Sequence, residues 1–114
     1  MGIDQSNRNF RRMQVIDINQ VIINERGSYS HPWTERIFRD CLRANHECWV
    51  LSSFGNVVGH SVLSAAAQEA HLLNVCIQPA QQGNGLGRDL VNFMIDCARN
   101  KEAKRIFLEV RASN

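Results

Sequence analysis

Two hydrophobic periods alternate along the chain, and each change of period marks a new element. Segment 10–16 reads as a short first strand, preceded at 1–9 by a polar segment expected to be a flexible lead. Ile18, Val21, Ile22 and Ile23 then recur near helical spacing behind Asp17, which is suited to capping, and Gly27 closes the segment. A loop at 27–33 follows. Thr34 is expected to cap a second helix, because Ile37, Phe38, Cys41 and Leu42 share one face and Glu35, Arg36, Arg39, Asp40 and Arg43 take the other. That helix should end near Asn45.

The period then shortens to two. Segments 48–52 and 57–63 are rich in β-branched or aromatic residues and are separated by Ser53-Phe54-Gly55-Asn56, a hairpin signal that predicts antiparallel pairing. After a small, polar stretch at 64–68, the mostly apolar run 71–77 is stopped by Pro79 and reads as a central strand buried on both faces. Beyond a glycine cluster, Leu86, Leu90, Val91, Met94, Ile95 and Ala98 mark a long helix, and 106–110 a fifth strand. Strand, glycine loop, helix and strand make a βαβ unit, so the fourth and fifth strands should be parallel. The predicted class is α/β: a mixed central sheet of about five strands with flanking helices. A fully parallel, Rossmann-like sheet is the rival.

Composition adds mainly exclusions. At 114 residues, 44% hydrophobic and 21% charged, the chain suits one domain, spanning 10–114, and rules out disorder or a coiled coil. A formal charge of +2 is too small for a protein that coats nucleic acid. Eleven of the thirteen basic residues are arginine, which leaves room for local anion sites. Cys41, Cys48, Cys76 and Cys97 include no Cys-x-x-Cys pair and no histidine at finger spacing, so no metal is expected. No apolar run reaches the length of a membrane span and the start does not resemble a signal peptide. A cytoplasmic protein with reduced thiols is the expectation.

The chemistry concentrates in Gln82-Gly83-Asn84-Gly85-Leu86-Gly87-Arg88, between the buried strand and the long helix. Three glycines in five residues let a ligand approach the main chain, and the free N–H groups of a helix N-terminus favour a phosphate or pyrophosphate. A P-loop fails, since no lysine stands near; a dinucleotide fingerprint fails on spacing and on its place after an antiparallel meander.

The Gln-x-x-Gly-x-Gly spelling of Gln82, Gly85 and Gly87 resembles the signature of the GNAT acetyltransferase superfamily, whose order of elements agrees from the first strand to the fifth. Within it, His71-Leu72-Leu73-Asn74-Val75, the glycine loop, Leu108-Glu109-Val110-Arg111-Ala112-Ser113-Asn114 and the upstream Pro32-Trp33 resemble the bacterial enzymes that acetylate the N-terminal alanine of a ribosomal protein. The resemblance covers about 10–114. It implies acetyl-CoA as cosubstrate, with the backbone of Val75, Cys76 and Ile77 pairing with the pantetheine arm. The loop of Gln82, Gly83, Asn84, Gly85, Leu86, Gly87 and Arg88 would hold the pyrophosphate, and Asn114 would make a further cofactor contact. It also implies Glu109 as the general base for an acceptor α-amine, and neither nucleic acid nor membrane as partner.

Three expectations concern what lies beyond these matches. In relatives the chain continues past the position of Asn114 into a helix and two strands, and that helix supplies a tyrosine that protonates the leaving thiolate. The present sequence is therefore expected to be incomplete at its C-terminus. Its only tyrosine, Tyr29, takes no role by resemblance. Acetylation of a small free amine such as an amino acid or polyamine, and a non-catalytic CoA-binding fragment, are the alternatives. An uncovered fifth strand is expected to favour self-association.

Overall fold

The computed structural model describes residues 8–109. Its five strands form one sheet in the order β1-β2-β3-β4-β5: β1 Arg8–Arg12, β2 Glu47–Ser53, β3 Asn56–Ala66, β4 Glu69–Ile77 and β5 Arg105–Leu108. Neighbours are antiparallel from β1 to β4, and β4 with β5 is parallel. Helices α1 Ile18–Ser28 and α2 Glu35–Arg43 precede β2, and α3 Leu86–Asn100 connects β4 to β5. This is the mixed sheet with three helices that the periodicity predicts, and the antiparallel meander removes the Rossmann-like alternative.

The first strand departs from its predicted bounds. It occupies Arg8–Arg12, with Arg8 and Asn9 opposite Ser53 and Ser52, so these two residues belong to the sheet and not to a flexible lead. The rest of that lead, 1–7, lies outside the described residues, as does Asn114. Residues Val15–Asp17 make a 3-10 turn in which Ile16 is 83% exposed. Asp17 does not cap α1 with its side chain. Its buried carboxylate instead accepts from both terminal nitrogens of Arg11 and from the Gln14 N–H, each at 2.8 Å. Arg11 holds that carboxyl below the usual range, against the opposing effect of burial. Thr34 does cap α2, its hydroxyl accepting from the Ile37 N–H at 3.3 Å.

Both hairpins turn through two left-handed residues, Phe54 and Gly55 in one and Ala67 and Gln68 in the other. That hand matches the twist of the flanking strands, so pairing continues to the turns and draws 64–66, part of the small, polar stretch between the predicted strands, and also 69–70 into β3 and β4. Two apolar clusters sit on opposite faces of the sheet. Ile18, Val21, Phe38, Val50 and Val62 pack under α1 and α2; Leu51, Leu63, Leu72, Leu90 and Met94 pack under α3. The fourth strand alternates buried and half-buried residues, and is not buried on both faces as its run of apolar residues predicts. No helix among the described residues is long and apolar enough to cross a membrane.

Candidate functional site

An irregularity in β4 creates the site. Val62 faces Asn74 and Leu63 faces Leu72, so Leu73 is an extra residue, a bulge that bends the strand and reverses which residues face each neighbour. Before it, β4 pairs with β5 as far as Leu72 opposite Leu108, and the Glu109 N–H closes the ladder on the Leu72 carbonyl at 3.0 Å. Beyond it, the Gln78 N–H donates to Val58 of β3 at 2.8 Å. Strand alternation then turns Cys76 and Asn74 toward β3, and Val75 and Ile77 toward the opposite edge, where no described strand pairs with them. Among the described residues the β4–β5 pairing ends at Leu72, and from there to the end of β4 no described strand lies beside that edge, which leaves an opening among the described residues.

The glycine loop stands at the end of β4, joined to it by the 3-10 turn Pro79–Gln81. Gly85 precedes the first turn of α3 in a left-handed conformation, φ +80°, and a Cβ built there would meet nothing within 4 Å. Free space beside the unpaired N–H groups of a fifteen-residue helix fits an anionic group. Gly83, Asn84 and Arg88 are exposed around it, and Arg88 has no ion pair among the described residues. Gln82 is exposed as well, but its side-chain amide donates to the Ile77 carbonyl at 3.0 Å. Between loop and α1 lies a cleft of about 410 Å³ lined by Ser28, Tyr29, Pro79 and Gln82. Tyr29 reaches from it to the free edge of β4, where its hydroxyl donates to the Val75 carbonyl, and the Ser28 hydroxyl donates to the Ile77 carbonyl at 3.0 Å.

Behind the opening is a buried polar cluster. Glu25, fully buried, accepts from His60 Nε2 at 2.9 Å, from Asn74 Nδ2 at 3.1 Å and from the Trp33 N–H at 3.0 Å. Burial opposes its ionisation, but the bonds from His60, Trp33 and Asn74 prevail and hold its carboxyl below the ordinary range. Its carboxylate thereby ties the loop before α2 to the sheet. The ligand atoms of Glu25, His60 and Cys76 lie within 4.8 Å of one another, yet the carboxylate is already engaged by these donors. Burial also pushes the Cys76 thiol up to about 11, so it remains a protonated, packed group.

At this vertex, the last described step of the β4–β5 ladder, Glu109 meets His71. His71 Nδ1 and Glu109 Oε2 are hydrogen-bonded, and the imidazole stacks on Phe107 with centroids 5.0 Å apart and planes at 20°. Both side chains remain partly open to solvent, 34% for His71 and 49% for Glu109.

This geometry has known counterparts. The model of the acetyltransferase (GNAT) family matches residues 14–114. The chain belongs to that family. Among its relatives is a Bacillus subtilis protein provisionally named a ribosomal protein bS18-alanine N-acetyltransferase, 31% identical, the match covering 91% of this chain and 70% of the relative. The crystal structure of the Escherichia coli ribosomal-protein-S18-alanine N-acetyltransferase superposes with a TM-score of 0.84 at 26% identity, over 94% of this chain and 69% of that one. A Mycobacterium tuberculosis protein solved with CoA shares the fold, with a TM-score of 0.77 at 21% identity over 88% of this chain and 63% of that one.

Within the GNAT fold the residues singled out by sequence fall at two places. Val75 and Ile77 line the opening, while Cys76 has its backbone turned to β3 and its side chain toward Asn24, whose carbonyl accepts from the thiol at 3.4 Å. The loop from Gln82 to Arg88 sits at one end of the opening and Glu109 at the other. His60 is fully buried, and His71 is bonded to Glu109. Glu25 was missed, although it occupies the apolar stripe of α1 at the spacing of Ile18, Val21 and Ile22. A charged residue in such a stripe signals a paired buried group.

Proposed function

We propose that the chain is an acetyl-CoA-dependent N-acetyltransferase acting on the α-amine of a protein N-terminus, the alanine of a small-subunit ribosomal protein. The observation that carries this reading is the β4 edge left without a described partner beyond Leu72, with an anion cradle at one end and Glu109 at the other. Substrates in open α/β sheets bind at the carboxyl ends of parallel strands, and here the glycine loop follows the carboxyl end of β4.

The pyrophosphate of acetyl-CoA lies on the backbone of Gly83 to Gly87 at the start of α3, with Arg88 beside it. The pantetheine arm runs along the edge of β4 at Val75 and Ile77. Two carbonyls on that edge already accept from Tyr29 and from Ser28 and Gln82, so the arm pairs chiefly with N–H groups or displaces these side chains. The acceptor enters beside Trp33, whose loop is fixed by Glu25, and presents its ammonium to the Glu109 side. An α-amine titrates near about 8, so a base at this vertex has little work to release the free amine. The amine attacks the thioester carbonyl, and a β4 N–H stabilises the oxyanion.

The test is incubation of the purified chain with acetyl-CoA and a peptide carrying the N-terminal sequence of the ribosomal protein, read by mass spectrometry. Acetylation of the α-amine is expected. Acetylation of free amines alone would reassign the acceptor, and calorimetric binding of CoA without transfer would make the chain a binding module.

A further inference from the structure

We propose that His71 and Glu109 act as one carboxylate–imidazole dyad, in which Glu109 holds Nδ1–H and His71 Nε2 takes the acceptor amine's proton. This rests on the acetyl-transfer reading above and names the atom that performs its first step.

The two side chains come from different strands. His71 stands opposite Phe107 in the parallel ladder, and Glu109 follows Phe107 by two residues on the same face. One bond and one stacked ring therefore define the imidazole: Glu109 Oε2 engages Nδ1, and Phe107 fixes the plane. A carboxylate can only accept, so Nδ1 must carry the proton of that bond and the ring's lone pair is left on Nε2. Orientation and tautomer are thus set by Glu109, as carboxylates set them for histidine elsewhere.

The charged groups around Nε2 suit a proton acceptor. Glu69 of β4 places Oε1 3.8 Å from it, and Arg105 of β5 faces Glu69 from the other side at 3.9 Å. The imidazolium formed on proton transfer is consequently flanked by two carboxylates, Glu109 and Glu69. An imidazole is also closer in basicity to an α-amine than a carboxylate is, which lowers the uphill part of the transfer.

The step balances as follows. One proton passes from the ammonium to Nε2, and the freed amine forms the C–N bond with the thioester carbonyl carbon. The C–S bond breaks, with its electron pair leaving on sulfur. The second amine proton is lost as the amide forms and reaches the thiolate, while Nε2 returns its proton to solvent.

The decisive variant is His71→Asn, whose amide still donates to Glu109 but has no basic nitrogen. Its kcat should fall by about a hundredfold or more, with CoA affinity unchanged and the low-pH limb of the rate profile lost. A second measurement needs no turnover: ¹⁵N NMR of the histidine rings, with His71 assigned by its absence in His71→Asn. His71 should carry its proton on Nδ1 in the native chain and move to the Nε2–H form in Glu109→Ala. Near-native kcat in His71→Asn, or an Nε2–H ring in the native chain, would overturn the dyad. A native chain that transfers no acetyl group overturns the functional reading instead, and the ring tautomer then decides the dyad by itself.

Discussion

The charge on Glu25 is sustained by three donors, two of them far from it in sequence. Replacing it with alanine leaves His60 Nε2, Asn74 Nδ2 and the Trp33 N–H buried without their acceptor, which should cost about 3 kcal/mol in urea denaturation. The same bonds fix a pH dependence. The Glu25 and Asp17 carboxyls both titrate below their ordinary values of 4.5 and 3.8 in the folded chain. Their contribution to stability is complete above those values and is lost as pH falls through the lower, folded ones. Denaturation midpoints should therefore hold steady from neutrality to about pH 5 and decline below it, less steeply in Glu25→Gln. Individual residues were legible where they carry a local spelling, as in the Gly85 loop, or a matched motif, as for Glu109. The partners of Glu25 and Glu109 were not, because His60 and Asn74 meet Glu25 only where α1 packs on the sheet, across 35 and 49 residues, and His71 meets Glu109 only through strand pairing, across 38.

At the scale of elements, two glycines divide structure from binding. Gly59 in β3 packs so closely on β4 that an added Cβ would lie 2.8 Å from Ile77 Cδ1 and 3.1 Å from the Cys76 carbonyl. Gly59→Val should destabilise the chain by about 2 kcal/mol, visible as a lower melting temperature, since backbone as well as a side chain must yield. Gly85 lies against nothing, so Gly85→Val acts through its left-handed backbone, at about 1–2 kcal/mol of strain, and through the space its side chain takes from an anion. Calorimetry should show CoA affinity falling far more in Gly85→Val than in Glu109→Gln, which should lose turnover and keep affinity. Equal losses would mean that the cradle or the base is misplaced. Element type and order were readable because each segment keeps one period throughout. Boundaries shifted where a turn lacked its usual residues: Ala67 and Gln68 are poor candidates for two left-handed positions, and nothing local announces that β3 and β4 continue to meet there.

For the whole molecule, the two edges of the sheet are built differently. β1 carries Arg8, Arg11 and Arg12, and arginines along an edge discourage a second strand from adding. Among the described residues β5 pairs only with β4, and it leaves Phe107 40% and Leu108 67% exposed beside that pairing. An apolar edge of this kind favours strand addition by a second copy, and the arginine edge directs such addition to β5 alone, which limits the product to a two-fold pair rather than a growing stack. Sedimentation velocity over a dilution series should thus show a monomer passing to a dimer as concentration rises. Leu108→Lys should move that transition to higher concentration without altering the melting temperature, because the side chain it replaces is already in solvent. A native chain that stays monomeric at every concentration, or assembles beyond the dimer, would show that β5 is not the surface through which copies meet.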